Sequence, residues 1–226
     1  MLTSRSSLAV ALAVFSTTVY ADLEKPEYEY LETIPASCMG KTGLVFDVKE
    51  DDTTFDQTDI FADKISPLQA VKPNRVTSCF EDSQSSEARY LVSLQLIWED
   101  ESDPVEETAE FSTSRIGPVD LNATDDEFNL KYSCSITKWD IHMPIHADFE
   151  SQDGRITSIT FTDQYAETLS FGEATGDNAI KLEWTWPNAF LGFYGSTDSD
   201  NAFSNLGIVT YDWDCVRPGH AAWSAA

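Results

Sequence analysis

Tyr90-Leu-Val-Ser-Leu-Gln-Leu-Ile-Trp98 decides the class of fold. Val92, Leu94, Leu96 and Trp98 alternate with Ser93 and Gln95, Ile97 being the one exception, and a period of two is what a half-buried strand requires. The same alternation returns at Trp139, Ile141 and Met143, at Ile159 and Phe161, at Leu182, Trp184 and Trp186, and at Val209, Tyr211 and Trp213. Turn-forming groups separate these runs: Asp153-Gly154, Gly172 to Gly176, and Gly195 to Asn201. An apolar helical stripe is missing; Glu106 to Arg115 is the best helix candidate and has little to bury. Short strands with regular turns predict an all-β domain.

Composition bounds what such a domain can do. The 226 residues include 39 acidic and 14 basic side chains, a formal charge of −25, yet also 13 Phe, 8 Tyr and 6 Trp. That aromatic content supplies the burial a disordered acidic chain lacks. The charge argues against binding nucleic acid or an anionic membrane surface, both of which are held by clustered Lys and Arg. Acidic runs at Glu50-Asp51-Asp52, Glu99 to Glu107 and Asp125-Asp126-Glu127 read as solvated loops. None has the residue order of a calcium-binding loop, so no metal is expected.

The first residues read as an export signal. Arg5 precedes the apolar run Leu8 to Phe15, and Val19-Tyr20-Ala21 is a small-residue cleavage pattern. The run is well short of the roughly 20 residues of a membrane span. The expected organisation is a signal peptide over 1–21, an acidic N-terminal arm over 22–37, one domain over 38–215 and a flexible tail over 216–226. No further stretch is long enough for insertion into a bilayer, and the protein is expected to be extracellular. Four cysteines, Cys38, Cys79, Cys134 and Cys215, all lie in the exported part and suit two disulfides, with three pairings open. No two are at zinc-ligand spacing. Asn122-Ala-Thr124 is a glycosylation sequon.

From about Met39 to Cys215 the order of strands and loops resembles the jacalin-like lectin domain. The C-terminal half carries the resemblance: Gly154-Arg-Ile-Thr-Ser-Ile-Thr-Phe-Thr162, then Leu169-Ser-Phe-Gly172 and Gly176, then Phe190-Leu-Gly-Phe-Tyr-Gly195 with Leu206-Gly-Ile-Val209. Gly40-Lys-Thr-Gly43 with Phe46-Asp47 resembles the family's glycine-rich opening, and Tyr90 to Trp98 the end of its first Greek-key unit. The resemblance implies a β-prism of three Greek-key sheets that binds mannose/glucose- or galactose-type sugars without catalysis or cofactor. Its partners would be glycans or glycoproteins, and a homo-oligomer is compatible with it. Carried over by position, the sugar loop is Gly195 to Ser204, with Ser196, Asp198, Asp200, Asn201 and Phe203 as candidate contacts and Gly40, Gly43 and Gly154 in supporting loops. Tyr194 and Phe203 offer rings to stack on a pyranose. Where the family has an aspartate this chain has Ser204, and that residue carries the alternative reading, a structural or protein-interaction domain that has lost the sugar site.

Enzymatic signals are weak. With 39 carboxylates, pairs for glycoside hydrolysis can be chosen at will, so none is chosen. His142 and His146 are separated by Pro144, which breaks the helix an H-x3-H metal pair needs, and both are expected on the surface of a strand and its turn. No G-x-S-x-G elbow is present.

Overall fold

The computed structural model describes residues 30–43, 50–67, 70, 73–82, 89–99, 110–112, 116–117, 131–174 and 178–217. The expected signal peptide, Asn122 and most of the C-terminal tail lie outside these residues. Twelve strands are described: β1 (Met39–Lys41), β2 (Thr53–Asp56), β3 (Arg75–Asp82), β4 (Arg89–Glu99), β5 (Glu110–Ser112), β6 (Tyr132–Lys138), β7 (Pro144–Gln152), β8 (Arg155–Asp163), β9 (Thr168–Gly172), β10 (Asn178–Glu183), β11 (Asn188–Thr197) and β12 (Phe203–Asp212). One turn of helix, α1 (Thr58–Phe61), follows β2. The strands make three antiparallel four-stranded sheets, ordered β1-β12-β11-β2, β10-β7-β8-β9 and β5-β4-β3-β6.

The inward faces of all three sheets share one apolar core. Aromatic rings dominate it: Trp139 stacks on Phe190 at 5.4 Å, Phe161 meets Phe190 edge-on at 5.0 Å, and Phe61 meets Trp98 at 5.1 Å. Fully burying one such side chain contributes about 2–3 kcal/mol. This is how the chain's aromatic content offsets the ordering of a domain whose surface is strongly acidic.

In β4 the alternation holds with a phase change. The ladder skips Val92 between the pairs Cys79↔Ser93 and Phe80↔Leu91, a β-bulge. Leu91, Leu94, Leu96 and Trp98 therefore enter the main core, while Val92 joins a small cluster with Cys79, Tyr90 and Ala202. Two expected strand segments lie outside the ladders. Trp139 and Ile141 are buried but precede β7, and Trp184 and Trp186 follow β10. Trp139 donates its amide to the Asn74 carbonyl at 2.7 Å and Trp184 to that of Ile145 at 3.0 Å, outside the regular strands. Trp213 likewise follows β12 and donates to the Pro187 carbonyl. Alternating apolar residues record which side chains face inward, and a loop crossing the end of a core can meet that need as well as a strand. Within Glu106 to Arg115, the best helix candidate but one with little to bury, Glu110–Ser112 is a strand that pairs with Ile97–Glu99 of β4.

The chain is closed on itself. β1 pairs with β12, and Cys38, just before β1, is bonded to Cys215, just after β12. The second disulfide, Cys79–Cys134, joins residues directly opposite on β3 and β6. Packing extends beyond the expected domain limits of 38 and 215. Ile34 is buried and exchanges backbone hydrogen bonds with Asp63 and Ile65, Leu31 donates to the Val216 carbonyl, and Val216 is buried.

Candidate functional site

The hairpin between β11 and β12 is shorter than the span Gly195 to Ser204 suggests. Gly195, Ser196 and Thr197 belong to the β11 ladder and Phe203 and Ser204 to β12, so the loop proper is five residues, Asp198 to Ala202. Gly195 is packed between strands: a Cβ there would lie 2.2 Å from the Asn205 carbonyl oxygen, so only glycine lets the two backbones approach. Phe203 is fully buried against Phe55. Tyr194 is half-buried beneath Lys41, and its hydroxyl donates to the Thr42 carbonyl.

Asp198 organises the loop. Its Oδ1 accepts the amides of Asp200 at 2.9 Å and Ala202 at 3.0 Å, its carbonyl accepts that of Asn201, and its own amide donates to the Ala202 carbonyl. An aspartate that captures amides two and four residues ahead stabilises a tight turn. Asn201 takes the left-handed conformation, φ 67°, which asparagine tolerates. Ser199, Asp200 and Asn201 are exposed.

The Gly154 turn stands beside this loop, through a neighbouring residue that the sequence reading did not single out. Arg155 Nε donates to Asp198 Oδ2 at 2.7 Å and its Nη2 to Asp200 Oδ2 at 2.5 Å. Partial burial alone would lower the guanidinium pKa, but the hydrogen bonds and charges of Asp200 and Asp198 outweigh it and raise it. The guanidinium also lies 5.3 Å from the centre of the Tyr90 ring. Arg155 thus clamps the β11–β12 loop to the β7–β8 turn. Asp153, in that turn, and Gly154 both have positive φ.

Asp52 is the other residue the sequence reading passed over, because it sits in the run Glu50-Asp51-Asp52 that reads as a solvated loop. Its Oδ2 accepts from Ser204 Oγ at 2.7 Å and Ser196 Oγ at 3.1 Å, and the two hydroxyls are 3.0 Å apart. A carboxylate therefore does stand at position 204, supplied by the segment before β2 instead of by residue 204 itself. No local sequence signal connects two positions 152 residues apart. Gly40 is elsewhere, paired with Thr210 toward the other end of β12, whereas Gly43 follows Thr42, which bonds to Ile208.

His146 lies in β7, 3.4 Å from Asp148, and His142 in the preceding turn packs edge-on against Tyr165. Among the described residues no group of three or more His, Cys, Asp or Glu is placed to hold a metal ion, and no helix is long and apolar enough to cross a membrane.

Three antiparallel sheets of four strands enclose one core, with the first and last strands side by side in one sheet. The domain is a three-sheet β-prism. No family model matches the sequence, and comparison with curated proteins finds no match. Similarity to solved structures is distant. PirB aligns with a TM-score of 0.49 at 13% identity over 77% of this chain, which corresponds to 38% of PirB. Frutapin, a lectin from Artocarpus incisa, aligns at 0.46 with 11% identity over 76% of this chain and 97% of its own. The agglutinin of Calystegia sepium aligns at 0.46 with 11% identity over 76% and 96%.

Proposed function

We propose that this is a secreted, glycosylated protein that binds carbohydrate without turning it over, through the end of the prism formed by the Asp198–Ala202 loop, the Asp153-Gly154 turn and the segment at Asp52. The Arg155 clamp carries this reading. It fixes two hairpins against each other, so the exposed side chains of Ser199, Asp200, Asn201 and Asp153 form a preorganised polar rim. Such a rim offers carboxylate acceptors and an amide to adjacent hydroxyls of a neutral ligand, and a neutral ligand escapes the repulsion that a strongly acidic protein exerts on anions. No pair of carboxylates is assigned a catalytic role. Titration of the purified protein with methyl α-mannoside, methyl α-glucoside and methyl β-galactoside tests the proposal. Binding that weakens when Arg155 is replaced by Met supports it, and no binding to any of the three series removes it.

A second reading, an interaction domain on a prism without a sugar site, is favoured by the satisfied state of the loop. The amides of Asp198, Asp200, Asn201 and Ala202 are spent within the turn, and Ser204 is buried on Asp52. Failure of every glycan series, with the fold intact, selects this reading.

A further inference from the structure

The opposite end of the prism carries an aromatic platform unrelated to the Arg155 rim. In the β11–β12 register, Thr197↔Phe203 closes one end and Asn188↔Asp212 the other, roughly 30 Å away at strand spacing. At that far end Trp186 is 58% exposed, whereas Trp98, Trp139, Trp184 and Trp213 are all buried. Its ring is held, not loose: it stacks on Trp213 at 6.2 Å and 23°, and the Trp213 amide donates to the Pro187 carbonyl at 3.0 Å. Trp213 is braced in turn by Tyr211 at 5.5 Å and Tyr30 at 5.7 Å. The contact leaves more than half of the Trp186 residue, 58%, open to water.

We infer that Trp186 is the floor of a second saccharide contact, on which the C–H face of a pyranose ring stacks. The size of the platform selects the ligand. The exposed part of one indole is about 100–150 Å², the scale of one sugar ring and far below the roughly 1,000 Å² of a stable protein interface. Exposed polar residues flank Trp186 along the chain, as a hydroxyl-bearing ligand requires: Thr185 precedes it and Asn188, whose side-chain amide donates to the Thr185 carbonyl at 3.2 Å, lies two residues on, while Asp214 follows its stacking partner Trp213. A cationic ligand is the competing occupant, since Asp212, Asp214 and Glu183 face only Lys181 and Arg217 here, and the test separates the two. The Asp212 carboxylate is engaged by the amides of Asp214 and Cys215, Glu183 is paired with Lys181, and Arg217 stands in the same turn. A protein with both ends active is bivalent within one chain, so it gains avidity on glycan surfaces where each contact alone is weak.

The test uses the full chain labelled with 15N, with the Trp186 indole N–H resonance identified from W186F. Methyl α-mannoside, methyl α-glucoside and methyl β-galactoside are titrated at millimolar concentration, with tetramethylammonium as the cationic control. The inference expects the Trp186 resonance to move with at least one glycoside and to move equally in R155M, which separates this contact from the proposed rim. W186F retains that glycoside's affinity for this end within about twofold, followed through the Trp213 resonance, and W186A weakens it about tenfold. No movement with any glycoside, movement only with tetramethylammonium, or a response lost in R155M overturns it.

Discussion

Replacing Ser204 with Asp, the residue the family resemblance places there, should damage the domain. Ser204 Oγ is 2.7 Å from Asp52 Oδ2, so the new carboxylate would face an existing one in a half-buried position. Two unit charges about 4 Å apart at an effective dielectric of 20 repel by about 4 kcal/mol, and a lost hydrogen bond to a charged acceptor adds roughly 1.5–3 kcal/mol. Ser204→Asp alone should therefore unfold at markedly lower denaturant. Asp52→Ser alone should cost about 1–3 kcal/mol by leaving buried hydroxyls poorly paired. The double variant exchanges the two groups, and its stability should exceed the sum of the single effects by about 4 kcal/mol. Chemical denaturation of all four proteins at pH 7 measures that coupling. In Ser204→Asp repulsion raises one carboxyl pKa above its unfolded value of about 3.9. The repulsive penalty is thus complete above the raised folded value and disappears below the unfolded one. A coupling below about 0.5 kcal/mol, or a Ser204→Asp variant as stable as the parent, refutes the placement of Asp52.

Three further outcomes follow from the packing. In the chain-entropy account, closing 177 residues through Cys38–Cys215 is worth about 5 kcal/mol and closing 55 through Cys79–Cys134 about 4 kcal/mol. Calorimetry should then show Cys38→Ser/Cys215→Ser lowering Tm by about 10–20 °C, at least as much as Cys79→Ser/Cys134→Ser; the reverse order contradicts the closure role. Gly195→Ala should cost about 1–3 kcal/mol by forcing β11 from β12, seen as faster amide exchange at Leu206, and unchanged exchange contradicts it. Burial would raise the pKa of Asp163, but amide hydrogen bonds from His142, Tyr165 and Glu167 outweigh that and lower it. Its contribution is therefore complete above the unfolded value of about 3.9 and is lost as pH falls through the lower folded value. Asp163→Asn should be less stable at pH 7 and show a shallower acid limb in thermal melts; parallel limbs refute the assignment.

How far the sequence discloses this molecule depends on the range of each interaction. Period two in β4, β8 and β12 is local, since every second side chain meets the same core, and it survives as a fold signal even across the bulge at Val92. β5, of three residues, and β6 leave little pattern: residues 133–136 of β6 are exposed on both faces. Trp139 and Trp184 mimic strand residues because they fill the core from loops. At the candidate site the turn chemistry of Asp198 to Asn201 is legible, being confined to a few residues. Arg155 and Asp52 are not, because each acts on loops 43 to 152 residues away, and one charge among 53 ionised side chains carries no mark of its partner.

The most direct measurement is a backbone amide NMR titration of the purified protein with the mannoside, glucoside and galactoside series. The proposal predicts that at least one sugar shifts the amides of Ser199, Asp200, Asn201, Asp153 and Gly154 together, with a single affinity that falls in Arg155→Met. Absence of any shift at these five residues with all three series contradicts carbohydrate binding at this end of the prism.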